Sequence, residues 1–190
     1  MSLRHEELNA RVASSGALRR LANWAHLMLC VSNADHYLNR METLRATGTM
    51  ENILEIDGQI LAFTVTYARA FGQVGDGFAR LEAGSVYKSA SLLAAHERII
   101  ALRHKRYAHS DHNDTMEYAI KYALKGNLLE LKPQIAFGIS GNEFPAWREV
   151  VNSLQAYLHQ KVHAMVDKCS AELGVQCVFP TGEPTAHKAN

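Results

Sequence analysis

The sequence carries almost no net charge, no long apolar run and no paired cysteines, and each absence closes off a class of protein. Formal net charge is +1 over 190 residues. No overall field therefore draws the chain to nucleic acid or to a membrane, and any affinity for anions must come from a local patch. No run of about 18 or more apolar residues occurs, which argues against a membrane-spanning helix. The three cysteines, Cys30, Cys169 and Cys177, are an odd number without CxxC spacing. Cys30 and Cys169 fall in apolar helical patterns, where a free cysteine behaves as a small hydrophobe. That usage fits a reducing compartment. The opening Met1-Ser2-Leu3-Arg4-His5-Glu6-Glu7 lacks the apolar core of a signal peptide, so a cytoplasmic location is expected. No HExxH motif is present. Gly72, Gly75 and Gly77 are preceded by no strand and followed by no Lys-Ser/Thr, so they form a loop and not a phosphate-binding fingerprint. There is no internal repeat and no low-complexity block.

What remains is an ordinary globular composition, 47% hydrophobic and 21% charged, long enough to bury a core without disulfides or metals. The apolar spacing is helical. Trp24, Leu27, Val31, Ala34, Leu38 and Met41 recur at three and four residues and predict a helix over about 18–44. Ser14-Ser15-Gly16 supplies a cap before it, and Gly48 marks its end. Ile53, Ile56, Ile60, Phe63, Tyr67 and Phe71 predict a second helix over about 50–71, capped by Thr49. A third starts after Gly84-Ser85, near Val86, with Leu92, Ile99 and Ile100 on its apolar face. Asp114-Thr115-Met116-Glu117 resembles a capping box and predicts a short helix over 115–125, stopped by Gly126-Asn127. Residues 128–139 fit either short extended pieces or an irregular packed loop. A last long helix starts near Pro145, carries Trp147, Val151, Leu154, Leu158, Val162, Met165 and Cys169 on one stripe, and ends at Gly174. Val178-Phe179 is expected to dock, and the remaining residues to fray. The expected fold is therefore all-α, an up-and-down bundle of four to five main helices over residues 1–175, with a tail over 176–190. Trp24, Trp147 and the methionines lie on helical stripes and are assigned to the core; His5, His159, His163 and His187 are assigned to the surface.

Charge and proton-transfer groups concentrate in one stretch, Arg103-His104-Lys105-Arg106-Tyr107-Ala108-His109. At ~100° per residue, Arg103 points close to the direction of Leu92 and Ile99. A guanidinium aimed at an apolar face must meet an acid, a phosphate or a water-filled cleft. Asp35, Asp57 and Glu97 are the available acids for a structural ion pair. The functional alternative is phosphate chemistry. A guanidinium grips phosphate oxygens and stabilises charge at phosphorus, and an imidazole can deprotonate a ribose 2′-hydroxyl or protonate the leaving oxygen. RNA carries its own nucleophile, so such a site requires neither metal nor catalytic serine; DNA lacks the 2′-hydroxyl. Six residues along an ideal helix set Arg103 and His109 roughly 120° apart, so either the helix bends or ends before His109, or two chains pool their copies in a shared cleft.

The string Leu102-Arg103-His104-Lys105-Arg106-Tyr107-Ala108-His109-Ser110-Asp111 resembles the signature of HEPN domains, an Arg followed by a polar residue and a short spacer to His. It is most similar to the abortive-infection branch, where an Arg-polar-Lys opening and an Ala-His-Ser-Asp ending recur. The match covers about ten residues. The resemblance implies an all-α bundle acting as a homodimeric, metal-independent endoribonuclease without cofactors, often a toxin or phage-defence effector with an antitoxin protein as a possible partner. Arg103 would match the family arginine, His109 the family histidine, and His104 the polar residue between them, where the family most often has Asn or Asp. Asp111 stands two positions after His109, where toxin members controlled by tyrosine modification carry Tyr. Lys105 and Arg106 are possible contacts to an RNA backbone. Two alternatives stand beside this: a non-catalytic helical dimer that binds nucleotide, RNA or protein, and a metal site in the run His109, Asp111, His112, Asp114, which lacks any zinc spacing and uses Asp114 as a helix cap.

Overall fold

A computed structural model describes residues 3–44, 49–72, 80–108, 116–137 and 139–179. The chain is mostly helical. In order it forms α1 (Leu3–Ser14), α2 (Gly16–Thr43), α3 (Met50–Arg69), a single turn α4 (Ala83–Val86), α5 (Ala90–Leu102), a π-helical segment (Arg103–Ala108), strands β1 (Met116–Lys125) and β2 (Leu128–Phe137), a 3-10 turn (Gly141–Glu143) and α6 (Phe144–Leu173).

The helices stand where the apolar stripes put them, and their ends are set by local hydrogen bonding. Ser15, with extended backbone, interrupts α1 and α2, and its hydroxyl accepts from Leu18 N at 3.1 Å. Glu172 of α6 reaches the same end of α2, where its carboxylate accepts from Gly16 N at 3.0 Å and Ala17 N at 3.1 Å. A carboxylate on the free N–H groups of a helix start is favoured by the helix dipole. The Ser15 hydroxyl and these backbone bonds hold the Glu172 carboxyl below its ordinary range. Thr49 caps α3 through Asn52 N, and Gly174, with φ 71°, closes α6 in the left-handed conformation that suits glycine. The third helix is broken: α4 ends at Val86, and Ser89 caps a fresh start at Ala90. α1 is a further helix that the apolar spacing does not announce.

The core lies where α2, α3, α5 and α6 meet. Phe63 of α3 stacks on Trp147 of α6, with ring centroids 5.3 Å apart. Around them Val31, Ala34, Leu38, Ile60, Ile99, Leu102, Leu154 and Leu158 are almost fully buried. Each such aliphatic or aromatic side chain contributes about 1.5–3 kcal/mol on leaving water. Asp35, set at the edge of the α2 stripe, meets a cation from another element: Arg148 of α6, which also bonds Glu42 and the Asn39 side-chain oxygen. Burial pulls the Arg148 guanidinium down, but the hydrogen bonds and charges of Glu42 and Asp35 outweigh it and hold Arg148 above its ordinary value. Trp24 is half-buried against the core and Trp147 is buried. His5, His159 and His163 are exposed, and His187 lies outside the described residues.

Three expectations are overturned: the helix over 115–125, the docking of Val178-Phe179, and the core assignment of the methionines, since Met50 is 56% exposed. The helix expected over 115–125 is instead β1, and 128–139 resolves in favour of extended structure, β2. The strands pair antiparallel from Met116↔Phe137 to Lys125↔Leu128, joined by Gly126-Asn127 as a two-residue turn in which Gly126 has φ 60°. Ile120, Tyr122 and Leu124 alternate with Ala119, Lys121 and Ala123, a period of two that a strand requires. The partner strand repeats it: Leu131 stands opposite Tyr122 and Leu129 opposite Leu124. Cross-strand pairing outweighs the capping-box pattern because the local sequence cannot display the partner. Val178 and Phe179, expected to dock, are instead exposed, at 70% and 50%. Among the described residues no helix is long and apolar enough to cross a membrane.

Candidate functional site

α5 gives way to the π-helical segment at Arg103. Such i→i+5 turns are rare and are found frequently at functional sites. Neighbouring positions on a helix do not normally face one another, yet Arg103 Nη1 lies 3.2 Å from His104 Nδ1. A guanidinium has only donors. Arg103 therefore donates and His104 Nδ1 accepts in this contact.

Both side chains line a cleft of about 1060 Å³. α2 contributes His26, α3 contributes Val65 and Arg69, the segment before α4 contributes Arg80 and Glu82, and α5 contributes His96 and Ile100. Among the described lining residues three arginines, Arg69, Arg80 and Arg103, thus share the cleft with one carboxylate, Glu82. Among the described residues no ion pair joins any of the three to an acid, whereas Arg40, Arg98 and Arg148 are all paired. Asp35 is held by Arg148, and among the described residues Arg103 makes no ion pair with Glu97. The arginine aimed at the apolar face has therefore met a cleft rather than a structural acid, and it does so within one chain.

His96 is the buried polar side chain of the described wall, 8% exposed. Its Nδ1 lies 2.7 Å from the Tyr67 hydroxyl, which lies 2.8 Å from the Tyr87 hydroxyl. Burial pushes both phenols above their ordinary range, so they remain protonated. Burial also lowers His96, against a smaller upward pull from Glu97. A neutral imidazole has one donor and one acceptor nitrogen. If Tyr67 donates to Nδ1, Nε2 carries the proton; if Nδ1–H donates to Tyr67, Nε2 becomes an acceptor. The Tyr87–Tyr67–His96 chain can thus set the proton state of a cleft residue.

A thiol nucleophile finds no support beside the cleft. Cys30 Sγ is 3.8 Å from His26 Nε2, but burial raises the Cys30 thiol, against a smaller effect of Arg69, so the thiolate is disfavoured.

The sequence-predicted set divides. Arg103 and His104 are brought together. Lys105 is exposed on the π-helical segment and is not part of the cleft wall. Arg106 belongs to the same segment by its backbone. His109, and with it the possible metal run His109, Asp111, His112 and Asp114, lies outside the described residues. No cluster of metal ligands occurs among the described residues. Arg69, Arg80, His26, Glu82 and His96 were not anticipated. For His96 a signal existed: it stands seven residues, two helical turns, before Arg103, and so on the same face. For Arg69 and Arg80 none did, because they come from other elements.

No protein-family model matches this chain, and neither a curated protein nor a solved structure is significantly similar to it.

Proposed function

We propose that this chain is a metal-independent endoribonuclease of the HEPN type, acting in the cytoplasm as a homodimer, with a role as toxin or phage-defence effector and an antitoxin protein as its counterpart. The observation that supports it best is that Arg103 and His104 open together onto a cleft whose other arginines, Arg69 and Arg80, also have no acidic partner among the described residues. Arg103 binds the scissile phosphate and stabilises its developing charge. His109 removes the 2′-hydroxyl proton and returns a proton to the leaving oxygen, giving a 2′,3′-cyclic phosphate. His104 orients Arg103. Lys105 and Arg106 contact the RNA backbone.

The test is RNA cleavage by the purified chain in EDTA, with the ends of the products identified. Cyclic phosphate ends are expected, and His109→Ala should abolish cleavage while the helical circular dichroism is retained. Unchanged cleavage by that variant would remove His109 from the mechanism. One observation supports a second reading: Arg69, Arg80 and Arg103 line one cleft of the same chain. A non-catalytic module for RNA or a phosphorylated ligand would bind without cleaving and lose affinity on Arg103→Ala.

A further inference from the structure

His96 stands at the buried floor of the described cleft, and the groups behind it fix which atom it offers. Three rings hold its imidazole: the centroids of Phe71, Tyr87 and Tyr67 are 4.4, 5.4 and 5.7 Å away. Nδ1 is turned inward, 2.7 Å from the Tyr67 hydroxyl, and that hydroxyl is 2.8 Å from the Tyr87 hydroxyl. Each phenol has one proton to donate. Donation can run in two directions, and the number of donors decides between them. In the first, Tyr87 donates to Tyr67 and Tyr67 donates to His96 Nδ1, so every hydroxyl proton has an acceptor. In the second, His96 donates to Tyr67, Tyr67 donates to Tyr87, and the Tyr87 proton is left over. Among the described residues the Tyr87 hydroxyl, on a side chain 1% exposed, has no second partner. A buried donor left without an acceptor carries its full desolvation cost. The first direction therefore holds, and His96 carries its proton on Nε2. With Nδ1 turned inward, Nε2 lies on the ring edge left for the cleft, and it has no partner among the described residues.

The cleft is graded from charge to carbon. Arg69 and Arg80 are exposed and Arg103 is half-buried. Beside His96, Leu27, Phe71 and Leu81 are buried, and Val65 and Ile100 are half-buried. The guanidinium groups suit phosphates. The floor does not, because a phosphate drawn there would exchange its water for apolar carbon and one neutral donor. Burial lowers His96 below its ordinary range, so it adds no charge to the floor. Such a floor suits a flat, weakly hydrated ring that carries a hydrogen-bond acceptor. In RNA that part is a nucleobase, and an unpaired one, since a paired base cannot leave the helix to be seated. A cleft of about 1060 Å³ has room for a nucleotide and part of its neighbours.

We propose that His96 reads sequence in this cleft: an unpaired base of single-stranded RNA inserts beside Phe71 and Leu27, His96 Nε2–H donates to an acceptor atom of that base, and Arg69, Arg80 and Arg103 hold the phosphates next to it. Tyr67 is a positioning residue, because it acts through His96. The inference rests on the reading of the cleft as an RNA site, and it adds the substrate class: single-stranded RNA with a preferred base at one position.

The test uses the full chain with His109→Ala and fluorescence anisotropy of four labelled homopentaribonucleotides and an abasic pentamer of the same charge. One homopentamer should bind at least about tenfold tighter than the abasic strand, the effect of seating one base, and a duplex of the same sequence should not compete. His96→Leu should remove that advantage and leave the salt dependence set by the arginines unchanged, at retained helical circular dichroism. Tyr67→Phe keeps the imidazole and should weaken the preference. Nitrogen-15 NMR of His96 should show the Nε2–H tautomer alone in the wild type and a mixture in Tyr67→Phe, and this readout holds even where His96→Leu fails to fold. Equal affinity for the abasic strand and all four homopentamers would overturn the proposal. So would a preference that survives His96→Leu, or a wild-type His96 with its proton on Nδ1. RNA cleavage by the wild-type chain without base preference would remove this inference and keep the nuclease. A base preference in a chain that never cleaves would remove the nuclease and keep this inference.

Discussion

Arg103 Nη1 donates to His104 Nδ1 at 3.2 Å, where α5 passes into the π-helical segment, and both side chains face the cleft. The contact uses His104 as an acceptor and leaves the remaining guanidinium donors for a ligand. Arg103→Lys keeps the charge but loses the planar fork. Removal of one such charge-stabilising donor lowers the rate about 10²–10³-fold. RNA cleavage by Arg103→Lys should fall by about that factor, in single-turnover assays, with thermal stability within about 0.5 kcal/mol of wild type.

Arg69 and Arg80 share the cleft and have no acidic partner among the described residues. If they contact phosphates, RNA affinity must weaken with salt, because each neutralised phosphate releases counterions. For single-stranded RNA, each contact contributes about 0.7 to the slope of log K against log salt. Arg69→Ala and Arg80→Ala should each reduce the slope by about that amount, measured by fluorescence anisotropy on a His109→Ala background. An unchanged slope would take that arginine out of the binding surface.

His96 predicts a loss of stability in mild acid. Its folded-state value lies below the ordinary 6.5 because burial disfavours the imidazolium, against the smaller effect of Glu97. Tyr67 and Tyr87, which face it, stay neutral. Below pH 6.5 the unfolded chain therefore takes up a proton that the folded chain does not, and stability falls as pH falls. The slope is at most about 1.4 kcal/mol per pH unit for one proton. His96→Gln should flatten urea-derived stability between about pH 5 and 6.5, a window above that in which the depressed Glu172 carboxyl begins to titrate.

Trp147 is 1% exposed and stacks on Phe63 at 5.3 Å. Trp147→Ala leaves a cavity between α3 and α6 and should destabilise the fold by about 3–5 kcal/mol. Chemical denaturation checks the value. A loss below about 1 kcal/mol would mean that this pair is not central to the core.

The sequence by itself determined the long helices and several of their ends, while Gly48, expected to close the first, lies outside the described residues. The stripes of α2, α3 and α6, the caps at Ser15 and Thr49 and the stop at Gly174 are written in residues within one or two turns of each other, because helical hydrogen bonds and side-chain neighbours are local. The concentration of Arg103 and His104 was legible for the same reason, as was the conflict of an arginine on an apolar helix face. Only the tertiary structure decided the rest. β1 looked helical because its capping-box pattern is local, while the strand that outweighs it lies across a turn, opposite Leu129 and Leu131. The cleft joins His26, Arg69, Arg80, His96 and Arg103 from separate elements. No spacing along the chain encodes that meeting, because it follows from how the helices pack around Trp147 and Phe63. That none of the three arginines has an ion pair among the described residues is likewise a property of packing: Asp35, one of the acids the sequence offered, is held by Arg148 of α6.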